Sequence, residues 1–180
     1  MPNHLTRAAA GGALLVALAI GGVALAAPSG AAFTTDLNGT VNQNHYAATT
    51  DVYLNGGPCN TRGVRLADGD YEFRVTDPSG KTDFTKDEKL SERAFRVSEG
   101  WIVWTADQND HPRMQPAWCK SWVLRVGPFA PASRTGEYKL WIAPRGSNFS
   151  QKLSKTDNFR VEETVGTTPP PPPTDGTGGF

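Results

Sequence analysis

The segment 68–82, DGDYEFRVTDPSGKT, ends in Gly80-Lys81-Thr82, the ending of a phosphate-gripping loop. That chemistry needs a further glycine five positions before the Gly-Lys-Thr, so that successive backbone N–H groups can curl around a phosphate. The residue there is Val75, inside a run that alternates like a strand. The stretch therefore reads as a turn (Asp68 to Asp70), a strand (Tyr71 to Thr76) and a second turn, Asp77-Pro78-Ser79-Gly80. Proline at the second turn position presets φ, and Ser-Gly completes the turn. Lys81 is then an ordinary exposed residue.

Other residue types that do chemistry are scattered. Beyond the N-terminal segment, His45 and His111 are the possible bases, both in polar, loop-like stretches, and no glycine-flanked serine elbow accompanies them. Two histidines and two distant cysteines do not make a structural zinc site. The stretches TDLNGT (35–40), ADGD (67–70) and ADQNDH (106–111) carry oxygen ligands, but none follows the spacing of a calcium loop, and Asn and Asp serve turns in their own right. Glu72, Asp87, Glu88 and Glu137 supply carboxylates with nothing to single out a hydrolytic pair. These observations predict no catalytic residue, no metal site and no cofactor; a secreted hydrolase is the least supported reading.

Cys59 and Cys119 are expected to pair if the chain is exported, closing a loop of about 60 residues and stabilising the fold by roughly 4 kcal/mol. Two buried free thiols are the alternative. All five tryptophans, Trp101, Trp104, Trp118, Trp122 and Trp141, fall within 101–141. Parity in EYKLWI (137–142) puts Tyr138, Leu140 and Ile142 inward and Trp141 on the outer face. Trp101 and Trp104 have opposite parity, so one of them is expected to face outward. Trp141, Trp104 and Trp101 are thus the candidate ligand-binding residues, a platform for a sugar ring or a protein partner. The alternative is that the loop 106–118 covers the outward ones or that they brace neighbouring strands.

Strands must position these groups. DVYLN (51–55), YEFRV (71–75), RAFRV (93–97), WIVWT (101–105), SWVLRV (121–126), EYKLWI (137–142), NFRVE (158–162) and the weaker FTTDLNGT (33–40) give eight candidates separated by turn residues, with no convincing amphipathic helix. This predicts an all-β chain folded as a single antiparallel β-sandwich. Gly69-Asp70-Tyr71-Glu72-Phe73-Arg74-Val75 and Gly136-Glu137-Tyr138-Lys139-Leu140-Trp141-Ile142 echo each other, each followed by a proline and then a glycine. A tyrosine at such a strand start suits a sandwich corner, where its hydroxyl bonds back to nearby backbone.

The ends differ in kind. Arg7 precedes a charge-free stretch, Ala8 to Ala27, and Ala24-Leu25-Ala26 fits a cleavage site, so 1–26 reads as a signal peptide. An uncleaved anchor is the alternative, and with it the one route to a membrane. Residues 164–180 hold five consecutive prolines and then glycines, a composition that predicts a disordered, solvated tail or spacer; recognition of the polyproline by another protein is the alternative. This leaves 33–163 for one domain. Cleavage would leave 17 basic against 18 acidic residues with no basic run, which argues against nucleic acid as a partner.

LADGDYEFRVTDPSGKT, with DVYLNGGP, GEYKLWIAP and SKTDNFRV, resembles the prealbumin-like modules of secreted bacterial proteins, the Cna-B and SdrD-B-like repeats and carboxypeptidase regulatory-like domains. The resemblance implies an immunoglobulin-like or prealbumin-like sandwich and a secreted or cell-surface location. The Lys–Asn cross-link common in Cna-B domains has no matching motif here. The expectation is a monomeric, non-catalytic extracellular binding or structural module whose partner is a protein or a polysaccharide. A carbohydrate-binding module using surface tryptophans is the alternative.

Overall fold

The computed structural model describes residues 28–57, 59, 63–106, 111–129 and 135–162. The expected signal peptide (1–26) and tail (164–180) lie outside these. Among the described residues there are ten strands: β1 (Phe33–Thr35), β2 (His45–Tyr46), β3 (Tyr53–Asn55), β4 (Gly69–Thr76), β5 (Ala94–Ser98), β6 (Trp101–Thr105), β7 (Arg113–Met114), β8 (Val123–Arg125), β9 (Gly136–Pro144) and β10 (Lys155–Val161). They form a four-stranded sheet, β1-β3-β8-β7, and a six-stranded sheet, β2-β10-β9-β4-β5-β6. The all-β prediction holds. One pair departs from the antiparallel pattern, because β2 joins the edge of β10 in parallel as the chain crosses from β1 over to the larger sheet and back to β3.

One core lies between the sheets. Val52, Leu54, Leu124 and Val126 face it from the smaller sheet and its flanks; Tyr71, Phe73, Val75, Phe95, Leu140 and Ile142 face it from the larger. Tyr138 and Phe159 stack with centroids 5.4 Å apart, and Phe129 meets Tyr138 edge-on at 5.0 Å. Each such side chain contributes about 1.5–3 kcal/mol by leaving water. The two sheets are also joined along their rims. The Asp157 carboxylate on β10 accepts from the Thr34 backbone N–H at 2.6 Å and hydroxyl at 2.9 Å. On the other side Trp122 N–H donates to the Ile102 carbonyl, and Ser121 Oγ accepts from Ile102 N–H, both at 3.1 Å. The edge of β6 is therefore partly covered, which guards against edge-to-edge pairing. Cys59 and Cys119 are bridged, tying the β3–β4 connection to the segment before β8.

The sequence echo is the centre of the larger sheet. β4 and β9 are antiparallel neighbours, with Phe73 opposite Ile142 and Val75 opposite Leu140. Tyr71 makes the expected corner, its hydroxyl donating to the Ala67 carbonyl at 2.8 Å. The glycines after the two turns, Gly80 and Gly146, share φ +79°.

Candidate functional site

The larger sheet turns one face to the core and one away from it, and the outer face at β5 and β6 is built by an irregular hairpin. Ser98 and Trp101 flank a two-residue turn whose central residues are both left-handed, Glu99 at φ 53° and Gly100 at φ 73°. That is the type I′ geometry matched to strand twist, and it asks for Gly or Asn at both positions. Glu99 occupies one of them at a steric cost. The Asp68 carboxylate accepts the Gly100 N–H at 3.0 Å and braces the turn; that bond and the Glu99 N–H hold Asp68 below the usual carboxylate range.

Beyond the turn, Val97 faces Ile102 but Arg96 faces Trp104, so Val103 is an extra residue, a bulge in the edge strand. The extra residue reverses the parity expected from sequence. Trp101 lies opposite Ser98 and Trp104 opposite Arg96, so the register puts both tryptophans on the outer face. Val103 and Trp104 are both substantially exposed, at 41% and 45%.

Trp104 lines a groove of about 390 Å³ with Val103, Ala94, Asp70, Arg96 and Arg145. The row Asp70–Arg96–Trp104 crosses three adjacent strands. Arg96 grips Asp70 with both arms of its fork, Nε to Oδ1 at 2.6 Å and Nη2 to Oδ2 at 3.1 Å. This pair holds the Asp70 carboxyl below its ordinary range. Arg145 is brought to the groove by its backbone, whose N–H donates to the Asp70 carbonyl at 2.9 Å. Its guanidinium makes no ion pair among the described residues. Ala94, 3% exposed, is buried although it lies on the outer face.

Trp141 requires a correction. It is on the outer face, as parity indicates, yet it is only 5% exposed. Its Nε1–H donates to Thr76 Oγ1 at 2.8 Å, and Arg74 lies over its ring at 4.8 Å. Phe149, from the loop after β9, packs with Trp141 and Ala143 in a second small core. The turn at Gly80 presses so close that a Cβ there would stand 3.0 Å from the indole. Trp141 braces this cover and offers no surface to a ligand. Trp101 is half-buried, with the Arg65 guanidinium 3.7 Å above its ring. Trp122 packs against the core beneath Arg113. Trp118, not singled out from sequence, is the most exposed at 57% and sits in the turn before Cys119.

The remaining chemistry-bearing groups are engaged in structure. The Asp77 carboxylate accepts from Lys81 N–H at 2.8 Å and Thr82 N–H at 3.0 Å, so the donors a phosphate would need in Gly80-Lys81-Thr82 serve the turn itself. In TDLNGT, Asp36 Oδ1 likewise accepts Asn38 N–H at 2.9 Å and Thr40 N–H at 3.0 Å. His111 is not in an open loop but 1% exposed, edge-on to Phe73. Its ring nitrogens meet the Arg125 carbonyl at 3.1 Å and Glu88 Oε2 at 3.2 Å. Glu88 also pairs with Arg93, a buried guanidinium that donates to the Phe73 carbonyl at 2.8 Å and Thr85 Oγ1 at 2.6 Å. His45 pairs with Glu162 at 2.8 Å, and the buried Glu72 accepts the Gly146 N–H at 3.0 Å. Among the described residues no three His, Cys, Asp or Glu side chains converge as metal ligands, and no helix is long and apolar enough to cross a membrane. A second groove, of about 310 Å³ beside His45 and Arg160, has no exposed tryptophan.

No family model, no curated protein and no solved structure matches this chain.

Proposed function

We propose that the chain is an exported, non-catalytic binding module that holds its ligand in the groove at Trp104. The observation that carries the reading is a half-exposed indole beside an exposed guanidinium, on a sheet whose other two outward tryptophans are engaged, Trp141 buried and Trp101 half-buried under Arg65. Export is supported by the signal-peptide pattern of residues 1–26 and the Cys59–Cys119 bridge. A prealbumin-like sandwich is supported by the quoted motifs and by two sheets meeting over one core. The non-catalytic reading is supported by the engagement of His111, Glu88 and Glu72 in structural bonds.

A polysaccharide is the favoured ligand class, since a flat indole flanked by fixed polar groups suits the apolar face of a sugar ring. The test is acrylamide quenching of the non-reduced protein in the presence of a panel of soluble polysaccharides. Protection of one quenchable tryptophan, absent in Trp104→Ala, is the expected result. Quenching unchanged by every member of the panel would remove the polysaccharide reading.

A further inference from the structure

From the charges around Trp104 we infer that the groove selects an acidic polysaccharide, one whose sugar rings carry carboxylates. The inference rests on the groove being the binding site and adds the chemical class of what it holds. Three charged side chains line it, and two of them are committed to each other: the Arg96–Asp70 fork uses both carboxylate oxygens at 2.6 and 3.1 Å. The two-pronged geometry orients this pair along one wall of the groove. Arg145 makes no direct ion pair among the described residues, though it lies close enough to Asp70 to help hold that carboxyl low, and the three lining charges leave one positive in excess beside an indole face. A planar guanidinium recognises a carboxylate through two parallel N–H donors. An indole takes the C–H face of a pyranose ring. A uronate ring offers both at once: an apolar face to Trp104 and a carboxylate at its rim to Arg145. An acidic peptide would satisfy Arg145 but has no regular flat face to set against the indole. The groove volume, about 390 Å³, lies in the range of small-ligand sites.

The experiment is isothermal titration of the non-reduced protein with polygalacturonate and with its fully methyl-esterified form, which keeps the sugar backbone and removes the charge. Poly-L-glutamate serves as the third titrant. The expected result is binding of polygalacturonate at least about tenfold tighter than of the ester, with that preference erased in Arg145→Gln and all binding lost in Trp104→Ala. The preference should also weaken as salt rises from 0.05 to about 0.5 M. Equal binding of acid and ester would overturn the inference and leave the groove reading standing. Binding of poly-L-glutamate as tight as polygalacturonate and indifferent to Trp104→Ala would overturn it in favour of an acidic protein partner. No binding of either saccharide would overturn the inference, while the polysaccharide reading falls only if the quenching panel is also silent. Circular dichroism of each variant confirms that a loss is not unfolding.

Discussion

Trp141 and Trp104 stand on the same face of the same sheet, yet the structure gives them opposite roles, and replacing each by alanine separates those roles. Trp141 is 5% exposed and its neighbours come from two segments, Arg74, Thr76 and Gly80 from β4 and the turn after it and Phe149 from the loop after β9. An indole buries about 150–250 Å², which at roughly 25 cal/mol per Å² is about 4–6 kcal/mol as an upper figure. The bond to Thr76 adds about 1 kcal/mol, but Thr76 is not orphaned by its loss, because its hydroxyl also donates to the Asp77 carbonyl at 2.7 Å. Partial collapse of the cover reduces the sum, so Trp141→Ala is expected to cost about 4 kcal/mol, within the usual 3–5 kcal/mol for a buried aromatic. Domains of this size have only about 5–15 kcal/mol in total. Trp104→Ala, by contrast, is expected to stay within about 1 kcal/mol. Urea unfolding followed by far-ultraviolet circular dichroism measures both without relying on tryptophan emission. Loss of Trp141 should also free Phe149, which is held at φ 51°, and expose the loop 145–150 to proteolysis. A cost below about 1 kcal/mol for Trp141→Ala, or an equal cost for the two variants, would refute the division of roles.

Cys59→Ser with Cys119→Ser should lower stability by about 4 kcal/mol, from the entropy of a closed loop of 60 residues, read as the shift between oxidised and double-variant urea curves; a shift below about 1 kcal/mol would contradict it. Glu99→Asn, placing a residue that tolerates φ 53° in the β5–β6 turn, should stabilise by about 0.5–1 kcal/mol, and a destabilisation would show that the Glu99 side chain makes a compensating contact. In acid, three further carboxylates act together. The Arg96 hydrogen bond holds Asp70 low and the Ser79 hydroxyl does the same for Asp77; burial pushes Asp36 up, but bonds from Thr40 and Asn38 outweigh it. Their folded values lie below the unfolded value of about 3.9, so their stabilisation is complete above that pH and is lost as pH falls through the folded values. The urea midpoint should therefore drop below about pH 4, and a midpoint that rises between pH 4 and 2 would contradict this.

What the sequence made legible is what local alternation and turn chemistry encode. The strands that carry the core, the Tyr71 corner, the turn at Gly80 and the inward parity of Leu140 and Ile142 all follow from residues within a few positions of one another. What escaped depends on contacts remote in the chain. Trp141 has the outward parity expected of it, but its cover comes from Gly80 and Phe149, and no periodicity records that they converge. His111 sits in a polar stretch, while its partners are 23 and 14 residues away at Glu88 and Arg125. The bulge at Val103 defeats the period-two count by one residue, and nothing in WIVWT marks it. β2 and β7, two residues each, are too short to alternate. Of the groove, Trp104 was legible as a surface candidate; Arg145 was not, because it is placed by backbone pairing with Asp70 across the sheet.

The measurement that tests the central claim most directly is the set of indole N–H signals in a ¹H–¹⁵N spectrum of the ¹⁵N-labelled protein, titrated with polygalacturonate fragments and assigned with single Trp→Phe variants. The expected result is a progressive, saturable shift of the Trp104 signal, with the Trp141 signal, locked to Thr76, unmoved. A Trp104 signal that stays still while that of Trp118 or Trp141 moves would contradict the assignment of the groove as the binding site.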